Sequence, residues 1–223
     1  MTWALVVLVG IMAVVVGWLV RQTLIGKPWL EQRPIDMVDG DGAFAAPPVK
    51  VGLGVFLAVA TSLFALLIAA YNMRMAGEDW ARLTLPSVLW LNTGVLVLAS
   101  VAMQLTRVAA RREQTDNVKS GLIAAGALSF CFLAGQLWAW QQLDASGYFL
   151  SANPANAFFY LLTAVHGLHL LGGLWVWART TARALRGANA GAIRLSVELC
   201  AVYWHYLLVV WVVLFAVLLY TRK

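Results

Sequence analysis

Long apolar runs broken by short polar stretches set the pattern of this 223-residue chain. Six runs, each 18 to 25 residues long, cover residues 3–20 (A), 51–71 (B), 85–105 (C), 120–140 (D), 156–178 (E) and 196–220 (F). About 20 apolar residues in helical form cross the hydrocarbon core of a bilayer. The pattern therefore predicts an all-α fold, a polytopic transmembrane helix bundle of six helices. One formal charge, Glu198, falls inside the six runs, and the other 25 charged residues lie outside them. Chance does not partition charge so sharply.

Run A has two readings, a cleaved signal peptide or a retained helix. No basic segment precedes it, it is longer than a usual signal core, and Arg21 follows it where small residues would mark cleavage. A retained helix is expected. The one long connection follows, with Pro34, Asp36, Asp39, Asp41 and the pair Pro47–Pro48. Acids, Gly and Pro in alternation favour turns over helix. The expected organisation is an N-terminal helix and its exit (1–30), a linker (31–49) and a five-helix domain (50–223). No inverted repeat of the kind that marks many transporters is visible.

Composition sharpens this. Hydrophobic residues make up 62% and charged residues 12%, far from a soluble average of about 25% charged. That excludes a soluble enzyme domain, a secreted disulfide scaffold and a disordered chain. The net charge of +6 does not indicate nucleic acid, because the basic residues sit between the apolar runs. Twelve of the 16 Lys and Arg fall in loops A–B, C–D and E–F, and none in D–E. Cytoplasmic loops carry such an excess, so these three loops are expected in the cytoplasm and both termini outside. Cys131 and Cys200 lie inside apolar runs without disulfide or metal spacing and are expected to be packed thiols.

Polar groups inside hydrocarbon are costly and need partners. Run E carries His166 and His169, three apart and on one face; run F carries Glu198 and His205, two turns apart. Three histidines on two helices suit a bis-His haem or a copper site, and equally suit hydrogen bonding to one another or to carbonyls. Glu198 reads as a proton-relay carboxylate or as an acid favoured near a helix N-terminus. Asn92, Gln104, Gln136 and Gln141 are amides able to bond across helices. Small residues recur in D (Gly121, Ala124, Ala125, Gly126, Ser129) and late E (Gly167, Gly172, Gly173), where they suit close helix approach. Most of the eleven tryptophans, Trp138, Trp140, Trp175 and Trp177 among them, fit an aromatic belt at the head-group layer.

Several runs together resemble one family. The segment FFYLLTAVHGLHLLGG (158–173) is similar to the sixth helix of haem–copper oxidase subunit III, and VELCAVYWHYLLVVWVVLF (197–215) to its last, with Glu198, Tyr203, Trp204 and His205 at the family's spacing. LPSVLWLNTGVLVLAS (85–100), with Trp90 and Asn92, and GQLWAWQQL (135–143) also fit, as does Gly167 between the histidines. The likeness covers residues 50–223 and is closest to the short bacterial branch, with helix A an addition. It departs at two places: Ala60 stands where a buried glutamate is usual, and Leu208 where an aspartate is usual.

The resemblance implies a non-catalytic subunit of a terminal oxidase in aerobic electron transport. Its partners would be oxidase subunits I and II, with haem and copper in those partners and none in this chain. Cytochrome c or quinol would act on the complex, not on this chain. It implies structural phospholipid, and the basic cluster at the span ends, Arg107, Arg111, Arg112, Arg179 and Arg183, supplies candidate head-group contacts. It makes His166, His169, Glu198 and His205 an interhelical polar network. Alternatives are an accessory protein of a nitric oxide reductase system, a small-solute transporter and a membrane haem protein.

Overall fold

Five helices follow runs B to F in a computed structural model that describes residues 48–77, 79–80, 85–149 and 153–220. They are α1 (Pro48–Arg74), α2 (Val88–Arg111), α3 (Thr115–Ala145), α4 (Pro154–Leu185) and α5 (Ala190–Tyr220). All five are long and apolar enough to cross a membrane. The sixth expected helix, A, lies outside the described residues, as does most of the linker.

The chain divides into two compact units, Met1–Leu66 and Leu67–Lys223. The described part of the first is α1 up to Leu66. Leu57, Ala60 and Phe64 are buried there, while Val55, Val59, Leu63 and Leu66 are exposed. Spacings of three and four put the buried set on one narrow stripe.

In the second unit α2, α3, α4 and α5 form a ring. α3 packs on α2 and α4, and α5 packs on α4 and closes the ring against α2. Connections of three, eight and four residues join consecutive helices, so neighbours run antiparallel. Each helix outlasts its apolar run by a turn or more. Helical hydrogen bonding continues into the polar flanks until a specific stop ends it. α3 and α4 stop at Gly147 (φ 82°) and Gly187 (φ 92°). There Tyr148 N–H donates to Leu143 O (3.0 Å) and Ala188 N–H to Arg183 O (3.1 Å), the six-residue closure of a Schellman motif. α2 ends the same way on a non-glycine: Glu113 has φ 57°, and Gln114 N–H donates to Ala109 O (3.0 Å). α4 starts where Asn153 Oδ1 accepts from Ala155 N–H (2.6 Å) and Asn156 N–H (3.3 Å), with Pro154 in the first turn, where a missing N–H costs nothing.

Polarity is arranged inside out. Leu91, Leu98, Ile123, Phe130, Leu137, Leu168 and Trp175 point outward, while Asn92, Ser100, Thr106, Ser129, Gln136, Thr163 and His166 are buried. A soluble bundle cannot be built this way, but a lipid-facing one can: hydrocarbon solvates the leucines, and the interior must satisfy the polar groups. Cys200 is buried as expected, whereas Cys131 is exposed. That corrects the reading of both as packed thiols: residue 131 falls on the outer face of α3, which an apolar run does not reveal.

Candidate functional site

The bundle interior is tied together by indoles. Trp204 Nε1–H donates to Ser129 Oγ (2.9 Å), Trp211 to Thr93 Oγ1 (2.9 Å) and Trp140 to Thr163 Oγ1 (3.1 Å). Each hydroxyl in turn donates to a carbonyl four residues back in its own helix: Ser129 to Ala125 O (2.7 Å), Thr93 to Leu89 O (2.8 Å) and Thr163 to Phe159 O (2.7 Å). The hydroxyl thus serves both ends, and neither polar group is left bare in an apolar interior. Trp177 Nε1–H donates directly to Leu122 O (2.9 Å). Trp140 and Trp177 therefore hold neighbouring helices as well as marking span ends. The acceptors Thr93 and Thr163 carried no sequence signal, since a hydroxyl in an apolar run reads as neutral until its cross-helix neighbour is known.

Close approach fills the gaps between these ties. A Cβ at Gly126 would strike the Trp177 ring, one at Gly173 the Tyr203 ring, and one at Gly135 the Asn92 amide. The expectation of tight packing holds at Gly121, Gly126 and Gly173. Among the described residues it fails at Gly172, where a side chain would meet nothing within 4 Å, and at Gly167, whose nearest neighbour would be Leu133 Cδ2 at 3.9 Å. Asn92 Nδ2 donates to Phe132 O (3.1 Å) and to Gln136 Oε1 (3.4 Å), so these amides do bond across α2 and α3.

The four residues singled out as a polar network have distinct partners. His166 is fully buried, edge-on to Phe132 (5.7 Å between centroids) and tilted against Trp211 (5.2 Å). His169 Nδ1–H donates to Val165 O (2.8 Å), and the His169 carbonyl accepts from Tyr203 Oη (2.8 Å). That bond joins α4 to α5. The bonds of Glu198 and His205 reach α2, a third helix. Glu198 Oε1 accepts from Arg111 Nε (3.0 Å) and lies 3.6 Å from Arg194 Nε. His205 is bonded to the Ser100 hydroxyl and, through Nε2, to Gln104 Oε1 (3.1 Å). The amide oxygen only accepts, so Nε2–H donates to it, while at Nδ1 the Ser100 hydroxyl is able to serve as donor or as acceptor. Among the described residues, no group of three or more His, Cys, Asp and Glu is placed to hold a metal ion.

The remaining candidates sit on the outside or at one end. Trp90 is exposed and meets Phe215 edge to face (4.9 Å). Arg111, Arg112, Arg179 and Arg183 are exposed and Arg107 half-buried; the Arg179 guanidinium lies over the Trp175 ring (5.7 Å). With Lys119, Arg186 and Arg194 they crowd the end formed by the α2–α3 and α4–α5 turns, facing the acids Glu113, Asp116 and Glu198. At the opposite end of this unit Arg74 is paired with Asp79. The hydrogen bond from Arg74 holds the Asp79 carboxyl below its usual range, against a smaller opposing effect of burial. Ala60 is buried and Leu208 half-buried.

This bundle has known counterparts. The model of the family described as cytochrome c oxidase subunit III matches residues 41–222. The chain belongs to that family. The cytochrome c oxidase subunit 3 of Thermostichus vulcanus is 29% identical over 187 residues, covering 80% of this chain and 90% of that one. A probable cytochrome c oxidase subunit 3 of Mycobacterium leprae is 30% identical over 187 residues, covering 78% and 88%. One from a Synechocystis species is 29% identical over 187 residues, covering 79% and 78%. As a subunit III family member with five membrane-capable helices, the chain is an integral membrane protein that associates with other oxidase subunits. The family model includes part of the 31–49 linker, whereas the resemblance read from the sequence began at residue 50.

Proposed function

We propose that this chain is the non-catalytic subunit III of a haem–copper terminal oxidase, seated against subunit I in a complex with subunit II. The observation that carries this is the match to the subunit III family along the whole described bundle. In this reading the redox metals belong to the partner subunits, and the chain stabilises subunit I and supports its proton uptake while oxygen is reduced to water. His166, His169, Glu198 and His205 act within the bundle as polar ties between helices. The crowded basic end faces the cytoplasm of a bacterial inner membrane, as the positive-inside rule supports, which puts both termini outside. Arg111, Arg112, Arg179 and Arg183, with Arg107 one turn farther in, form the basic end that draws anionic phospholipid, each charge worth about 1 kcal/mol near a charged surface. Ala60 and Leu208 carry no titratable group. Support for proton uptake therefore comes from packing and bound lipid, not from acids at those two positions.

Deletion of the chain tests the reading. The partner complex keeps its haem spectrum and a near-normal initial rate of oxygen reduction, but loses activity faster during turnover. Loss of a haem or copper signal from an otherwise assembled complex defeats it. Orientation is tested by cysteines placed at the exposed turn residues Ser146 and Asn189, after Cys131 is replaced. Position 189 labels from the cytoplasmic side and 146 from outside; the reverse pattern inverts the topology.

A further inference from the structure

The outward faces of the ring differ in one respect. On α3 and α4 the exposed side chains Ile123, Phe130, Leu137, Leu161, Leu168 and Trp175 are apolar. On α2 the exposed Gln104 and Arg111 interrupt the outward face, and a polar stripe leads from them to the buried Ser100. Ser100, Gln104, Arg107 and Arg111 follow one another at spacings of four, three and four, which is one stripe of a helix. The stripe runs along the seam with α5, where it meets His205 and Glu198.

The seam is satisfied among its own groups except at two donors. Gln104 is exposed, and its Oε1 is taken by His205, so its amide N–H groups point to whatever lies outside. Arg107 Nε is buried and has no hydrogen-bond acceptor among the described residues. An amide and a guanidinium nitrogen in an apolar setting each cost free energy until an acceptor reaches them. Depth decides what that acceptor is. Arg107 lies one turn inside Arg111 and Gln104 two turns, about 6 and 10 Å at a rise of about 1.5 Å per residue. A head-group phosphate beside Arg111 and Arg112 is at the right level for those residues, but the lipid beside Gln104 is acyl chain, which accepts nothing. A protein side chain has no such restriction.

We infer that the α2–α5 seam is the surface on which this chain docks another subunit of the oxidase, through a transmembrane segment of that subunit carrying a carboxylate opposite Arg107 and Gln104. Both open donors are neutral or cationic, and the imidazole beside them carries no negative charge, so a carboxylate complements the seam without a competing anion at that depth. Glu198 is already engaged by Arg111 and Arg194 at the mouth of the seam. The inference rests on the proposed role as subunit III and adds the face that makes the contact.

The test uses the full chain in its native membrane. A photoreactive residue replaces Val101 or Val108, which flank Gln104 on its own face and leave the donors intact, and separately Leu137 on α3 or Leu168 on α4. Illumination is expected to link positions 101 and 108 to another oxidase subunit at higher yield than positions 137 and 168. Arg107→Ala reduces the yield at 101 severalfold, whereas Arg186→Ala, in the α4–α5 turn, leaves it unchanged. Lipid adducts alone at 101 and 108, subunit adducts only at 137 or 168, or a yield indifferent to Arg107→Ala each overturn the inference while leaving the family role standing. Failure of the unmodified chain to co-purify with any haem-bearing complex in mild detergent defeats the underlying reading instead.

Discussion

Two regions of the same bundle hold helices together by different physics. In the interior, among α3, α4 and α5, glycines at 126 and 173 let aromatic rings lie against bare backbone, and indole N–H groups find hydroxyls and carbonyls. Along the stretch of the α2–α5 seam from Ser100 to Arg111 the contacts run through imidazole, amide and ionic groups, and the Arg111 side chain remains about half exposed. The interior is specified by shape, which tolerates almost no change in volume. The seam is specified by charge and hydrogen bonding, which water or a partner can replace. The difference indicates where mutation should unfold the bundle and where it should alter assembly.

The largest expected effect is steric. Gly126→Val drives a branched side chain into the Trp177 ring and should destabilise the bundle by about 3 kcal/mol. Gly172→Val, facing open space on the neighbouring helix, should change little. Thermal unfolding in detergent compares the two, and equal losses would erase the distinction between packed and open glycines.

Next comes the indole relay. Trp204→Phe removes one donor and should cost about 1 kcal/mol, within the range measured for hydrogen bonds between membrane helices. Combined with Ser129→Ala, the loss should be less than additive, because the second change removes an acceptor already vacated. A double-mutant cycle with no coupling would mean that the bond contributes nothing.

A smaller effect belongs to the seam. Glu198→Gln breaks the pairing with Arg111 and Arg194, yet half-exposed guanidinium groups can turn to water, so stability should fall by only about 0–1 kcal/mol. A loss as large as that of Gly126→Val would move the seam into the same class as the interior.

The smallest is at the opposite end. The Asp79 carboxyl is held low by Arg74, so its pairing contributes above the unfolded carboxylate range, near pH 4, and is lost as pH falls through the lower folded value. Trp80 reports it, since its ring stacks edge-on to Tyr71 at 5.0 Å. Trp80 fluorescence should show an acid transition that Asp79→Asn removes. A transition unchanged by that substitution would assign it to another group.

The spans were legible in the sequence because a bilayer sorts residues by polarity over about 20 positions, and that sorting needs no knowledge of neighbours. Runs B to F therefore appear as helices α1 to α5, and the histidine and tryptophan motifs of runs E and F pointed to the family before any contact was known. Which residues meet was not legible in this way. Arg111 and Glu198 are 87 positions apart, and Trp204 and Ser129 are 75 apart. No periodicity within one helix says which face another helix will cover. Glu198 read as an acid near a helix start or a relay group, and only the ring closure between α2 and α5 brought Arg111 to it. The glycines behaved likewise: Gly172 and Gly173 are adjacent in sequence, yet a side chain at 173 would strike Tyr203, while one at 172 would meet none of the described residues. Hydropathy is a property of a residue and its solvent, so the order of residues carries it. Partnership belongs to two surfaces, and it came into being only when the four helices closed into a ring.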